Sequence, residues 1–428
     1  MSLSAFMAVL LSATALVLAA RVYRRPRSVI FVGPLFLITA NVFLPAHARF
    51  ADWGLEGQWE MYVWAVGILL ITLAPVPKLG LRPFLRAPQS LQMFLLAAVA
   101  ASVYGYLRGN NPSYVFRQLY GSMLLFAYFV FAREYADETL FLRRTRTYGA
   151  FLACSFLVYY AAVFSEFGIH KEVTTVGTQA AIFAILLAAQ GGGKSWAVAG
   201  LLFLVPLLLV ARHAIVAFPI ALVVLWAMTA KSRLQRWVCT ALACGLLVAS
   251  LVPPVVGIIL DAAVGNEAVD RLLPDGARDS SSIADRGIQL VEAGNSVEAS
   301  PFFGSGMGSS LEWNSVWRGD WEQAYVDNGW AYLLTKMGFA GLLTFLCFAA
   351  GLIRRMGAAA SGLSACLLTL LLFVMWSEPV FFQFTTSLFA GVLAGLLWAR
   401  KPEVSAALMV KTPPTNQIQK LRVSDARC

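Results

Sequence analysis

The sequence predicts an all-α fold, a polytopic membrane bundle of about 12–13 transmembrane helices. Three observations predict it. Hydrophobic residues make up 59% of the chain and charged residues 13%, against roughly 45–50% and about 25% in ordinary soluble domains. The apolar residues fall into runs near the roughly 20 residues a helix needs to cross about 30 Å of hydrocarbon. The charges gather between those runs. Inside lipid, runs of this kind satisfy their own backbone groups only as helices.

In chain order the apolar segments cover 2–20, 28–46, 61–76, 90–107, 118–132, 148–165, 175–190, 195–211, 213–229, 237–260, 328–353, 358–376 and 380–398. The first is followed by Arg21, Arg24, Arg25 and Arg27, with no basic stretch before it. That arrangement reads as an anchor rather than a cleaved signal peptide. Segment 61–76 is short, and 175–190 carries Thr178 and Gln179, so either could re-enter rather than span. The segments divide the chain into an N-terminal transmembrane bundle over 1–260, a loop domain over 261–327, C-terminal transmembrane helices over 328–399, and a tail over 400–428. The tail is polar, contains Pro413 and Pro414, and reads as cytoplasmic and disordered.

Basic residues orient the bundle, because cytoplasmic loops accumulate Lys and Arg. With the N-terminus outside, the cytoplasmic loops hold Arg21–Arg27, Lys78–Arg86, Arg133–Arg146, Lys194, Lys231–Arg236, Arg354–Arg355 and the tail, which together take 23 of the 33 Lys and Arg residues. The net charge of +10 is therefore a topology signal, and a nucleic-acid partner is excluded. The loop 261–327 falls outside and carries 12 of the 23 acidic residues. A polar loop this long is uncommon without a function. It reads as a small domain of short helices: a run from about Ile283 to Glu298, a glycine-rich turn, and the aromatic stretch Trp313–Trp321.

No metal and no cofactor are expected. The six cysteines show no C-x-x-C spacing, and His47, His170 and His213 lack ligand spacing. Gly191–Lys194 with Ser195 matches a relaxed phosphate-loop pattern, but that chemistry needs a preceding strand. Between two apolar helices it reads as a tight turn.

Four places carry candidate chemistry. Arg212 and His213 lie between two apolar runs, where an arginine is expensive unless it faces water or a partner. Asp285–Arg286 opens the predicted loop helix, with Ser280–Ser282 and Asp285 as N-cap candidates, so Arg286 falls in its first turn. Ser300-Pro-Phe-Phe-Gly304-Ser-Gly306-Met-Gly308 places three glycines at alternate positions, which lets backbone approach a ligand or a neighbouring helix closely. Asp327 and Asn328 stand where the loop joins the next helix. They suit an N-cap, and Asp327 also suits a general base at a water–lipid boundary.

The order of these features resembles the bacterial O-antigen ligase and polysaccharide polymerase superfamily. It comprises an Arg at the outer end of a late helix, an Arg-initiated loop helix and the Pro-Phe-x-Gly-x-Gly-x-Gly turn. A polar residue beside Asn328 then precedes a Leu-rich helix with Gly338-x-x-Gly341. The resemblance covers about 168–353, most clearly 283–341. It implies a glycosyltransferase of the bacterial inner membrane, with its site facing the periplasm. The substrate implied is a sugar chain on undecaprenyl pyrophosphate, used without a nucleotide sugar or metal.

By the same resemblance Arg212 and Arg286 bind the pyrophosphate, His213, Asn328, Gly304 and Gly306 line the substrate, and Asp327 is catalytic. Ligases usually carry His where this chain has Asp327, and a small polar residue where it has Ala211. Asp-Asn at this junction looks more like the polymerases of repeat-unit polysaccharides. The chemistry agrees: two guanidiniums suit a pyrophosphate leaving group, and a carboxylate suits an attacking hydroxyl, with inversion at the anomeric carbon. Trp313, Trp317, Trp321, Tyr325, Trp330 and Tyr332 suit either sugar stacking or an interfacial belt.

The expected activity is polymerisation of lipid-linked oligosaccharide repeats into a surface or exported polysaccharide. The partners it implies are membrane lipid, a chain-length regulator and a flippase. The alternatives are a ligase transferring the glycan to lipid A-core or protein, and a transporter of the lipid-linked glycan. No internal repeat is seen and the charges sit in loops rather than mid-helix, which disfavours transport.

Overall fold

The computed structural model describes residues 3–37, 58–135, 140–141, 144–154, 174–190, 193–208, 223, 276–315, 319–323, 326, 328–358, 364, 366–367, 371, 375, 381–382 and 384–399. Helices dominate: α1 (Leu3–Arg24), α2 (Gln58–Leu73), α3 (Gln89–Leu107), α4 (Pro112–Glu134), α5 (Thr174–Gln190), α6 (Gly193–Leu208), α7 (Gly276–Ala299), α8 (Gly329–Ala358) and α9 (Phe384–Ala399). Among the described residues α3, α4 and the Gly329–Met356 part of α8 are long and apolar enough to cross a membrane. Shorter apolar helices cover Pro26–Leu37, Ala65–Leu79, Gln179–Gln190, Gly193–Val205 and Thr386–Ala399. The all-α membrane bundle expected from composition is what forms.

Local chemistry sets the helix ends. Gly109, with φ 82°, turns the chain after α3, a backbone conformation suited to glycine. Asn111 then caps α4, its side chain accepting from the Ser113 amide at 3.0 Å, and Pro112 takes the first helical position, where no donor is needed. Helix α9 packs along α4 through Gly391 and Gly395. A Cβ on Gly391 would sit 2.5 Å from the Leu125 carbonyl oxygen, and one on Gly395 would strike that of Phe129. This is the G-x-x-x-G device, in which missing side chains let two membrane helices meet backbone to backbone.

Aromatic rings fill the centre. Phe94 of α3 meets Phe345 of α8 at 5.6 Å, Phe345 meets Phe381 at 5.4 Å, and Phe129 of α4 meets Phe348 at 5.9 Å. Met93, Leu96 and Val103 of α3, and Leu343 and Leu346 of α8, are exposed and form apolar faces suited to lipid.

Helix ends expected to share the cytoplasmic side contact one another. The Lys78 amine lies 4.7 Å over the Tyr23 ring. Arg133 donates to the carbonyls of Arg86 at 2.7 Å and Pro83 at 2.9 Å. Arg146 donates to the Ser195 hydroxyl at 2.8 Å, and Arg355 to the Trp398 carbonyl at 2.9 Å. Lys194 and Ser195 lie in the first turn of α6, and the described element before it is the helix α5 rather than a strand.

The described part of the loop 261–327 differs from a set of short helices. Helix α7 is one element of 24 residues, and Leu311–Ser315 (β1) pairs antiparallel with Gly319–Gln323 (β2), Trp313 opposite Trp321. In β1, Leu311 and Trp313 are buried while Glu312 and Asn314 are exposed. That period-two alternation is a strand pattern, and it prevails over the helical reading of 313–321. Helix α7 begins at Gly276, so Arg286 lies mid-helix rather than in a first turn. Its serines stand inside the helix, where packing of α7 on α8 and β1 overrides their preference for caps.

Candidate functional site

The site is organised by a break in α8. Gly338 has φ 60° and ψ −161°, which no helix sustains, and the break exposes backbone donors and acceptors within a membrane-length element. The turn 300–309 supplies their partners. Ser305 donates its amide to the Thr335 carbonyl at 2.7 Å, Phe339 to Pro301 at 2.9 Å, and Ala340 to Phe302 at 3.2 Å. A broken helix at this depth is tolerated because protein, rather than lipid, meets the freed groups.

The same turn is spliced into α3 and α4. Met307 donates its amide to the Ala101 carbonyl at 3.0 Å, and Gly308 to the Gln118 side-chain oxygen at 2.7 Å. Asn110 donates its side-chain amide to the carbonyls of Ser305 at 3.1 Å and Met307 at 3.0 Å. Ser296 of α7 and Ser305 share a hydroxyl–hydroxyl bond of 2.6 Å. One ten-residue segment thus ties the loop helix to three bundle helices.

Gly304, Gly306 and Gly308 have φ of 67°, 83° and 82°. A Cβ on Gly304 would lie 2.5 Å from the Thr335 carbonyl oxygen, and one on Gly306 would lie 2.5 Å from the Gly105 Cα. Of the two close approaches that the glycine spacing allows, the structure shows approach to helices. Gly105 is the counterpart in α3, where a Cβ would strike the Met307 carbonyl oxygen. The sequence reading passed over it as one residue of an apolar segment.

Asn328 caps α8. Its side-chain oxygen accepts from the amides of Trp330 at 2.9 Å and Ala331 at 3.0 Å, satisfying two of the donors a helix start leaves open. Asn328→Ala is expected to cost about 1 kcal/mol, read as a lower melting temperature in detergent. Arg286 has its backbone in α7, and its side chain lies outside the described residues. Arg212, His213 and Asp327 also lie outside them. The buried Val326 brings the chain to the Asp327 position immediately before the capped start of α8.

Two of the aromatics read as suiting either sugar stacking or an interfacial belt are packed inside. Tyr332 is buried and stacked on Phe382 at 5.2 Å, and Trp313 is buried in the hairpin. Exposed rings occur where the sequence reading did not look. Phe302 and Phe303 meet edge to face at 4.8 Å, Phe303 lies 6.2 Å from Tyr104, and Arg108 covers the Tyr104 ring at 5.5 Å.

A second residue passed over is Lys336. It is fully buried, and its amine donates to the Ser309 carbonyl and, at 2.9 Å, to the Ser309 hydroxyl. The signal was present: a lone cation eight residues into an apolar run.

No curated protein matches the chain. A family model described as O-antigen ligase matches residues 197–346, a segment that includes α7, the glycine turn, the hairpin and the broken first half of α8. Over that segment, 150 of the 428 residues, the chain is similar to the O-antigen ligase family.

Proposed function

We propose that this chain is a membrane glycosyltransferase that polymerises undecaprenyl-pyrophosphate-linked oligosaccharide repeats into a surface or exported polysaccharide at the periplasmic face of the inner membrane. The observation that carries the reading is the match to the O-antigen ligase family over 197–346. The segment contains Arg212, Arg286 and Asp327 together. The geometry of the described part supports it, since the turn 300–309 joins the helix bearing Arg286 to the helix that starts two residues after Asp327.

In this reading Arg212 and Arg286 hold the pyrophosphate. A planar guanidinium takes two phosphate oxygens at once, and its charge offsets that developing on the leaving group. Asp327 accepts the proton from the acceptor hydroxyl as that oxygen attacks the anomeric carbon. The glycosidic bond to the pyrophosphate breaks on the opposite face, so the configuration inverts and no metal is required. His213 and Asn328 border the acceptor, and Gly304 and Gly306 shape the turn 300–309. A flippase delivers the lipid-linked repeats, and a chain-length regulator sets the product size.

The ligase reading is kept because the matching family is described as O-antigen ligase. Against it stands Asp327, where the ligases that the chain resembles usually carry His. A gel of lipid-linked and surface glycan, with and without this protein, decides between them. Polymerase activity predicts loss of the long-chain ladder with single repeats still reaching their acceptor. Long chains accumulating on the lipid carrier would make the protein a ligase, and an unchanged profile would remove it from glycan assembly.

A further inference from the structure

Lys336 has no role in the chemistry above, yet it is a costly residue to keep. It lies about 12 Å along α8 from Asn328, at 1.5 Å per residue, and is fully buried in a membrane-length helix. Its partners are both on Ser309, the carbonyl and the hydroxyl, and both are neutral. Among the described residues no carboxylate forms an ion pair with it. An ammonium held this way forfeits its hydration for two hydrogen bonds to uncharged groups, and replacing a buried charge together with its partners by well-packed apolar groups is often neutral or stabilising. Stability therefore does not explain the residue.

Position does. Ser309 ends the turn that α8 receives at its break, and β1 starts two residues later. On one side of Ser309 the chain leads back through Ser305 and Ser296 to α7, which carries Arg286. On the other it leads through the hairpin to Val326 and the Asp327 position. The start of α8, capped by Asn328, and the Lys336–Ser309 bond thus hold both ends of the segment between them. We propose that Lys336 is a positioning residue of the transfer site, its grip on Ser309 fixing the Arg286-bearing and Asp327-bearing segments relative to one another. This rests on the glycosyltransferase reading above.

The test compares wild type with Lys336→Met and Ser309→Ala as full-length protein in liposomes, supplied with lipid-linked repeat units. Methionine keeps the length of the side chain and removes its donors. Lys336→Met leaves the buried Ser309 acceptors without this donor, so a small drop in melting temperature is expected, and kcat per folded molecule should fall roughly 10- to 100-fold, the loss that follows from misplacing reacting groups by about 1 Å. KM should stay within about threefold, since substrate contacts are untouched. Ser309→Ala, which leaves the carbonyl acceptor in place, should show a smaller loss of kcat. Amide hydrogen exchange gives a readout independent of turnover, and in Lys336→Met the amides of Ser305, Met307 and Gly308 should exchange faster while the centre of α4 is unchanged.

Wild-type kcat with wild-type exchange in Lys336→Met would overturn the inference. So would a lowered melting temperature with normal activity per folded molecule, which would make Lys336 structural. A raised KM at constant kcat would also overturn it, placing Lys336 in contact with substrate. Wild-type protein that transfers no glycan would sink the glycosyltransferase reading instead, and exchange at the turn would still report on Lys336.

Discussion

On the proposed polymerase reading, replacing Arg286 with alanine is expected to remove the long glycan chains while the protein stays in the membrane at its normal level. The residue lies in the middle of α7, a helix outside the apolar segments, so truncating it leaves every spanning segment intact. In the proposed reaction its guanidinium meets the pyrophosphate as charge develops there. Deleting one such donor typically lowers the rate on the order of 100- to 1,000-fold. Arg286→Lys keeps the charge but not the planar fork, and should recover only part of the activity. The measurement is the ladder of chain lengths on a gel, normalised to membrane-inserted protein. Chains of normal length in Arg286→Ala would remove Arg286 from the site. Asp327→Asn separates the base from the anion ligands: it should stop elongation while lipid-linked substrate still binds, and persistence of long chains would leave Asp327 as a flank of the helix cap.

Gly306→Val has the largest expected effect on folding. Its φ of 83° lies in a region that a β-branched residue adopts only under strain, roughly 1–2 kcal/mol. The added Cβ would also stand 2.5 Å from the Gly105 Cα and 2.7 Å from its amide nitrogen. Those are backbone atoms of a packed helix, unable to rotate aside as a side chain would, and overpacking adds roughly 1–3 kcal/mol. The variant should therefore lose most of its monodisperse fraction in detergent and melt well below wild type. Gly304→Val should behave alike, because its Cβ meets the Thr335 carbonyl oxygen at 2.5 Å. A variant that melts normally and loses only substrate affinity would show that these glycines make room for a ligand rather than for helices.

The membrane bundle was legible because hydrocarbon imposes length and apolarity together, and few other solvents do. The segment read as 90–107 is the helix Gln89–Leu107, and that read as 328–353 is Gly329–Ala358. Packing within the bundle was less legible. A lone glycine in a helical run costs only about 1 kcal/mol, so nothing local distinguishes Gly338, where α8 breaks, from Gly341, where it continues. What decides is the turn 300–305, which brings the missing hydrogen bonds from outside the helix. Gly391 and Gly395 carried a readable spacing, and Lys336 a readable anomaly, but both take their meaning from partners far along the chain. The hairpin was hidden by its brevity, since each strand has five residues and aromatic side chains suit strands and interfaces alike. Of the site, the resemblance supplied the candidate anion ligands and base, while the turn that links α7 to α8 became visible only in three dimensions.

The spliced turn also has a consequence for how the protein is made. Asn110 waits for Ser305 and Met307 across 195 and 197 residues, and Gln118 waits for Gly308 across 190. When α3 and α4 leave the ribosome and enter the bilayer, the backbone that fills the space between them has not been synthesised. The adjoining ends of α3 and α4 are therefore completed late, by backbone from the C-terminal part of the chain. A nascent chain stopped before Ser300 would contain both helices and lack the segment that closes them.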